Sequence, residues 1–186
     1  MISPNKLNSN FYNDLNQIFK TNKVKYFQLR LKKYSDSELL AIGKKIKPIV
    51  KRYDVKFIIN DFPSVAKKIN ADGCHLGQSD VSIKKAKKLL KKNKIIGITC
   101  HGSKKLILNS LKEKPSYIAI GSFFKSKLKP KAKKAELNLI KWCQKKTNIV
   151  VVVVEQQQKK QQPQNNLLKN KVDYPKQQPQ QQRKQR

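Results

Sequence analysis

The chain has 186 residues, with 43 lysine and arginine residues against 11 acidic ones and a formal charge of +32. This length suits one domain with a sizeable core. The lysines are spread along the chain, which favours solvated polar faces over a specific nucleic-acid surface. No apolar run reaches the length of a membrane span, no signal peptide is visible, and the three cysteines form no CxxC pair. We therefore expect a cytoplasmic protein with reduced, buried thiols.

Apolar periodicity predicts helices and strands in alternation. The predicted strands are a stub at 1–4, then 24–32, 55–59, 73–76, 94–99, 117–121 and 147–154. The predicted helices are 10–20, 35–53, 64–69, one from about 82, one from about 103, and 135–146. Such alternation predicts parallel strands with right-handed crossovers, and six or seven units in a row favour a (β/α)8 barrel of the TIM type. We expect this barrel to be clipped at strand 1 and incomplete at strand 8.

The composition changes after Val154. Residues 155–186 are rich in glutamine, lysine and proline, and such a segment buries too little apolar surface to offset the entropy of ordering. A short stretch at 166–174, NLLKNKVDY, still resembles the end of a helix that enters a strand. We therefore predict a barrel domain at 1–154 and a low-complexity tail at 155–186 that contains a barrel remnant.

Two carboxylates follow predicted strands. Asp61 comes directly after the apolar run 57–59 and Asn60, and Asp80 follows the short strand 73–76. The carboxyl ends of parallel strands lie on one side of the sheet, so the two side chains can converge there. Such a pair suits Mg²⁺, whose other positions would be filled by substrate phosphates. The spacing alone leaves a second interpretation open, in which Asp61 caps a helix and Asp80 is a turn or cap residue.

A polar stripe lies on the strand predicted at 24–32. Gln28, Arg30 and Lys32 alternate with apolar residues and so share one face. If that face lines the interior of a barrel near its mouth, an amide and two cations there suit a diphosphate.

Five motifs in order resemble thiamine phosphate synthase, a (β/α)8 enzyme family. They are FQLRLK at 27–32, IIND at 58–61, ADGCHLGQSD at 71–80, IIGITCH at 95–101 and YIAIGSFFKSKLK at 117–129. The resemblance covers about residues 1–154, with a fainter similarity at 166–174. It implies a transferase of thiamine biosynthesis, which joins 4-amino-2-methyl-5-hydroxymethylpyrimidine diphosphate to a thiazole phosphate and releases pyrophosphate.

The resemblance also implies roles for individual residues. Asp61 and Asp80 would hold Mg²⁺ on the diphosphate. Thr99 stands where the family has a serine or threonine in the pyrimidine pocket. In the loop that closes over the substrates lie Ser126 and Lys129. The residues expected on the diphosphate are Arg30, Lys32, Asn60 and Lys129, with Gln28 nearby, and of these Arg30 and Lys129 are expected to be catalytic.

His75 and His101 occupy positions where the family also has histidine. A histidine at the end of a strand is typically a hydrogen-bonded structural residue, and we assign neither of them a catalytic role.

The chain departs from the family pattern after strand 7. The family has a glycine-rich loop there, whose backbone N–H groups hold the thiazole phosphate. This chain has Val151 to Val154 followed by Glu155 and Gln156, without glycine. Two alternatives stay open beside the synthase. One is a thiazole tautomerase-like or inactive paralogue of the same superfamily. The other is a non-enzymatic nucleic-acid-binding protein, which the charge of +32 and the basic, glutamine-rich tail would suit.

Overall fold

The computed structural model of the chain describes residues 1–121 and 137–154. Two predictions lie outside this part: the closing loop with Ser126 and Lys129, and the low-complexity tail with its remnant at 166–174.

Helices and strands alternate along the described residues, six of each. The helices are α1 (Phe11–Lys20), α2 (Asp36–Arg52), α3 (Pro63–Lys68), α4 (Ile83–Leu90), α5 (Lys104–Lys112) and α6 (Leu137–Lys146). The strands are β1 (Tyr26–Leu29), β2 (Lys56–Asn60), β3 (Gly73–Leu76), β4 (Ile95–Thr99), β5 (Tyr117–Ile120) and β6 (Val150–Val153).

The six strands form one parallel sheet in sequential order, β1 to β6. Each strand therefore pairs with its neighbours in the chain, which is the arrangement of a curled (β/α) sheet. The predicted N-terminal stub is present as a single parallel bridge between Ile2 and Gln28. The backbone N–H of Ser3 donates to the carbonyl of Gln28, and the N–H of Gln28 donates to the carbonyl of Met1, both at 2.9 Å. The prediction of a parallel α/β fold is thus confirmed.

Serine side chains begin three of the helices. Ser35 and Glu38 form a complete capping box at the start of α2, as the sequence predicts. Ser82 and Ser103 cap α4 and α5 by accepting a backbone N–H of the first turn. These caps fix where each helix leaves its loop, and hence where the loops at the carboxyl ends of the strands must turn.

The core lies between the helices and one face of the sheet. Phe27 of β1 packs between Phe19 of α1 and Phe57 of β2, with ring centroids 5.6 and 6.0 Å apart. All three rings are fully buried. The cysteines Cys74, Cys100 and Cys143 are buried and free, as predicted. Within the described part of the chain, no helix is long and apolar enough to cross a membrane.

The strand predicted at 24–32 is shorter in the structure. β1 ends at Leu29 because its partner β2 ends one pair later, at Asn60, and the chain then turns at Asp61. Arg30 and Lys32 therefore lie in the loop after β1. The alternation of burial continues, however, since Leu31 is buried while Arg30 is half-buried and Lys32 is exposed.

Several turns have left-handed backbone conformations at residues other than glycine. Among the described residues no glycine has a positive φ, whereas eight other residues do. Lys91, which ends α4, is the extreme case, with φ 68° and ψ −173°. The other seven are Asn22, Asp54, Asp61, Asn70, Asn93, His101 and Lys114.

Candidate active site

The two predicted carboxylates follow adjacent strands. Asp61 comes directly after β2 with φ 66°, and its backbone N–H donates to the carbonyl of His75 in β3 at 2.8 Å. Asp80 lies in the loop after β3, where its Oδ2 accepts the backbone N–H of Gly77 at 2.6 Å. Asp61 is thus fixed to β3 through its backbone and Asp80 to the end of β3 through its side chain, so the sheet sets the positions of both carboxyl groups.

The two carboxyl groups meet. The pKa of Asp61 is raised from 3.8 to about 6, first by burial and then by the charge of Asp80 and a hydrogen bond with it. The positive charges of Lys32 and Arg30 oppose this shift. Two acidic groups held together beside two cations form a site that gains from a bound cation and from an anion next to it.

The helix-capping interpretation of these residues is wrong. The N-cap of α3 is Phe62, which makes no side-chain cap, and the N-cap of α4 is Ser82. The turn interpretation of Asp80 is correct for one of its oxygens, since Oδ2 closes a turn on Gly77. Its other oxygen is not used in that turn.

Hydrogen bonds to neighbouring residues hold two side chains of the polar stripe, Gln28 and Arg30, in place. Gln28 donates through Nε2 to Oδ1 of Asn60 at 2.7 Å, which joins the interior faces of β1 and β2. Arg30 is held by its backbone N–H, which donates to Ser3 Oγ at 2.9 Å, and by its guanidinium, which donates to Asn5 Oδ1 at 3.2 Å. The N-terminal segment therefore positions the arginine beside the carboxylates.

Thr99 ends β4 and contacts two residues from β3 and its loop. His75 Nε2 lies 2.7 Å from Thr99 Oγ1, and Gln78 donates through Nε2 to the carbonyl of Thr99 at 2.6 Å. His75 Nδ1 in turn lies 2.8 Å from the hydroxyl of Tyr117, whose ring stacks on the imidazole at 5.5 Å. Burial lowers the pKa of His75 to about 4, with a smaller contribution from Arg30. His75 is a hydrogen-bonded, neutral residue, in line with the structural role expected for it.

The pairing of the strands places these groups on one face of the sheet. Gln28 is opposite Ile58, which lies two residues before Asn60 and so on the same face of β2. Asn60 is opposite His75. His75 is opposite Gly97, which is opposite Tyr117. The predicted site residues Gln28, Arg30, Lys32, Asn60, Asp61, Asp80 and Thr99 thus lie at one end of one face, whereas Ser126 and Lys129 fall outside the described residues.

Four residues that shape the site were missed in the sequence. Asn5 and Ser3 hold Arg30, Gln78 holds Thr99, and Tyr117 holds His75. One signal pointed to Tyr117: a glycine in the middle of the apolar strand 95–99 indicates close approach by another group. The hydrogen-bonding partners themselves are far apart in the chain.

The donor set fits Mg²⁺ better than a transition metal. Over residues 1–121 and 137–154, no group of three or more His, Cys, Asp or Glu side chains comes together to hold a metal. Two carboxylates with nearby cations instead suit a hard ion that completes its shell with water and phosphate oxygens.

A curled parallel sheet with paired carboxylates and cations at the carboxyl ends of its strands is typical of (β/α) enzymes that bind phosphorylated substrates. The family model described as thiamine monophosphate synthase matches residues 1–164. The chain belongs to this family.

Individual relatives agree. The thiamine-phosphate synthase of Pelagibacter ubique (strain HTCC1062) is 48% identical over 150 residues, which cover 80% of this chain and 72% of that protein. The thiamine-phosphate synthase of Saccharophagus degradans is 41% identical over 123 residues, which cover 66% of this chain and 57% of that protein. The solved structure of thiamine phosphate pyrophosphorylase from Pyrococcus furiosus aligns with a TM-score of 0.71 at 26% identity, covering 83% of this chain and 72% of that one.

The family and its named relatives favour a transferase of thiamine biosynthesis that acts on small molecules. They do not favour the tautomerase-like and nucleic-acid-binding alternatives.

Proposed function

We propose that this chain is a Mg²⁺-dependent transferase that joins hydroxymethylpyrimidine diphosphate to thiazole phosphate, giving thiamine phosphate and pyrophosphate. The observation that carries the proposal is the meeting of Asp61 and Asp80 beside Arg30 and Lys32, where burial and the second carboxylate raise the pKa of Asp61 to about 6. Two like charges held this close are stabilised by a cation between them.

Asp61 and Asp80 would hold the Mg²⁺ ion, which when bound would neutralise negative charge on the diphosphate. Arg30 and Lys32 would bind the diphosphate oxygens, and Asn60 would contact the same group. The hydrogen bond from Gln28 to Asn60 supports this, because it uses Oδ1 of the Asn60 amide and so fixes which way its donor nitrogen, Nδ2, points.

The reaction breaks the bond between the pyrimidine methylene carbon and the diphosphate oxygen, and the electron pair leaves with the diphosphate. The resulting pyrimidine-methyl cation is captured by the thiazole nitrogen, which forms the new C–N bond. Arg30 and Lys129 would act as catalytic groups, because positive charge at the departing diphosphate stabilises the transition state more than the ground state. Thr99 would line the pyrimidine pocket, and Ser126 would bind substrate from the loop that closes over the site.

The complete fold proposed is the (β/α)8 barrel, with residues 1–154 contributing the domain and 155–186 a low-complexity tail. The sequential six-stranded sheet and the bridge of Ile2 to β1 support it. We also propose that the protein acts in the cytoplasm, which suits its three free, buried cysteines.

Calorimetric titration of hydroxymethylpyrimidine diphosphate tests the site directly. We expect binding with Mg²⁺ and at least tenfold weaker binding with a chelator. Asp80→Asn keeps an oxygen that can accept the Gly77 N–H but removes the charge, so it should abolish the dependence on Mg²⁺ together with most of the affinity. The control is Asp14→Asn, an exposed carboxylate in the first turn of α1. Equal affinity with and without Mg²⁺ would refute the metal site.

Formation of thiamine phosphate and pyrophosphate from both substrates tests the reaction itself. We expect product only when the pyrimidine diphosphate, the thiazole phosphate and Mg²⁺ are all present. Pyrimidine diphosphate binding with no product under any condition would leave a binding protein and overturn the transferase assignment.

A further inference from the structure

The N-terminal segment is joined to β1 by a short ladder of hydrogen bonds, which a serine side chain extends. The backbone N–H of Gln28 donates to the carbonyl of Met1, and that of Ser3 donates to the carbonyl of Gln28, both at 2.9 Å. The backbone N–H of Arg30 then donates to the hydroxyl oxygen of Ser3, also at 2.9 Å. Ser3 is buried, and Pro4 after it has no N–H with which to continue the ladder. The ladder therefore ends at Arg30 and fixes the backbone from which its side chain extends.

The guanidinium of Arg30 is held by a neutral group. Its Nη1 donates to Oδ1 of Asn5 at 3.2 Å, where Asn5 is exposed and Arg30 is half-buried. Over residues 1–121 and 137–154, no ion pair involves Arg30, although Asp61 and Asp80 belong to the same site. The guanidinium is thus hydrogen-bonded to an amide that leaves its positive charge uncompensated.

The charge of Arg30 acts on the candidate active site. Burial is the main cause of the raised pKa of Asp61 and of the lowered pKa of His75, and the positive charge of Arg30 lowers both values. The guanidinium therefore lies close enough to act on the end of β2 and on β3. A diphosphate beside the two carboxylates would lie within the same electrostatic reach.

The kind of acceptor that holds a guanidinium affects how well it binds an anion. A free arginine side chain has many rotamers, and a ligand that must order it loses part of its binding free energy. A carboxylate acceptor would order the arginine, but its negative charge would compete with the diphosphate for the guanidinium. An amide oxygen accepts the same hydrogen bond and carries no net charge.

We propose that Asn5 is a positioning residue: as a neutral acceptor, it directs the Arg30 guanidinium to the diphosphate without competing for its charge. This inference rests on the proposed function, in which Arg30 binds the departing diphosphate. Position 5 then has two effects, the orientation of Arg30, which needs an acceptor, and the availability of its charge, which needs that acceptor to be neutral. Asn5→Ala removes the acceptor, whereas Asn5→Asp keeps an acceptor and adds a negative charge.

Calorimetric titration with inorganic pyrophosphate and Mg²⁺ compares these two variants. We expect the dissociation constant to rise about threefold in Asn5→Ala, because Arg30 is no longer oriented. We expect a rise of about tenfold in Asn5→Asp, because the carboxylate competes for the guanidinium. A residue that only stabilises the fold would give the opposite order, since Asn5→Asp keeps the bond to Arg30. Wild-type affinity in Asn5→Asp overturns the inference.

The chain contains a matched pair of the same kind away from the site. Arg52, at the end of α2, donates through Nη1 to Oδ1 of Asn16 in α1 at 3.3 Å. Asn16→Ala and Asn16→Asp should therefore leave the affinity for pyrophosphate unchanged. In an Arg30→Ala background, Asn5→Asp should weaken binding no further, because its partner is gone. A tenfold loss in that background, or in Asn16→Asp, would show a general effect of charge and refute the positioning role.

Kinetics and melting separate positioning from damage to the fold. Asn5→Asp should raise KM for the pyrimidine diphosphate and leave KM for the thiazole phosphate unchanged, since Arg30 serves only the first substrate. Its melting temperature should be at least that of Asn5→Ala, because its bond to Arg30 is kept. Equal rises in both KM values would refute the inference.

The orientation of Arg30 can be measured without ligand or metal. In ¹⁵N-labelled protein, the order parameter of the Arg30 Nε–H bond reports how firmly the side chain is held, and Arg30→Lys assigns its signal. We expect this order parameter to fall in Asn5→Ala, while that of Arg52 stays constant. Equal values for Arg30 in wild type and Asn5→Ala overturn the inference. If the wild-type chain binds neither pyrophosphate nor the pyrimidine diphosphate, the proposed function fails instead, and the spectrum still decides whether Asn5 orients Arg30.

Discussion

Gly97 of β4 and Tyr117 of β5 are paired in register, and the ring of Tyr117 occupies the space that a side chain on Gly97 would need. The ring crosses β4 in this gap and stacks on His75 of β3. Because Gly97 has no side chain, Tyr117 of β5 contacts His75 of β3, although β3 and β5 are not neighbours in the sheet.

Gly97→Ala should destabilise the protein by about 1–3 kcal/mol, because the added methyl group overlaps the ring of Tyr117 and must displace it. The matched control is Gly43→Ala in α2. Its added methyl would meet only the flexible end of Ile69 at 2.8 Å, and alanine favours the helix by about 1 kcal/mol, so we expect a change within about 1 kcal/mol. Denaturant unfolding of both variants measures the difference. Equal stability of the two would contradict the overlap.

Asp61→Asn should stabilise the metal-free protein at neutral pH. The folded-state pKa of Asp61 is raised from 3.8 to about 6, so the folded chain binds this proton more tightly than the unfolded chain. The stability that Asp61 contributes therefore falls as pH rises from about 4 to about 6 and stays low above that. Asparagine removes this loss and also tolerates the φ of 66°.

The measurement is the melting temperature of wild type and Asp61→Asn in chelator across this pH window. We expect the two curves to meet near pH 4 and the variant to melt a few degrees higher at neutral pH. Because Asp61 is only half-buried, solvent screening reduces the effect of the pKa shift to about 1 kcal/mol. Asp14→Asn serves as the exposed control. Parallel curves for wild type and Asp61→Asn would show that Asp61 ionises normally.

Lys129→Ala should impair turnover more than binding. The resemblance places this lysine on the departing diphosphate, where its charge assists an interaction that grows in the transition state. We expect the single-turnover rate to fall about 100-fold while the dissociation constant of the pyrimidine diphosphate changes far less. Lys127→Ala, in the same loop, is the control. An unchanged single-turnover rate in Lys129→Ala would remove it from the catalytic set.

Glu155→Gly with Gln156→Gly should strengthen the thiazole phosphate interaction. The change removes a negative charge and introduces the glycines that the family uses to hold this phosphate with backbone N–H groups. We expect KM for the thiazole phosphate to fall about tenfold, because hydrogen bonds to a charged group are among the stronger ones. Gln157→Gly with Gln158→Gly keeps Glu155 and serves as the control. If both double variants behave alike, the charge and position of Glu155 are irrelevant.

Local signals predicted much of the fold. The capping box of Ser35 and Glu38 is a pattern within four residues, and the structure has it. The strand predicted at 73–76 has the predicted bounds, because glycine at its start and the loop after it mark both ends. The convergence of the two carboxylates was predicted for a similar reason: Asp61 directly follows β2, Asp80 lies in the loop after β3, and parallel strands end on one side.

The features that the sequence did not predict depend on contacts between residues that are far apart in the chain. The strand predicted at 24–32 is cut to Tyr26–Leu29 because its partner turns away at Asp61, which no pattern within 24–32 can indicate. The bond between His75 and Tyr117 joins residues 42 positions apart, and that of Gln78 with Thr99 joins residues 21 apart. Such contacts follow from register, which the sequence pattern does not specify at single-residue precision.

Lys91 is a position where a substitution can raise the stability of the fold without changing a residue of the candidate active site. Its φ of 68° and ψ of −173° lie in a region that is almost reserved for glycine, at a cost of about 1–3 kcal/mol. It is exposed at the end of α4, away from the carboxylates and from Thr99. Lys91→Gly would release that strain and lower the net charge by one. The thermal stability of this protein can therefore be raised at the end of a helix without any change to the residues of the candidate active site.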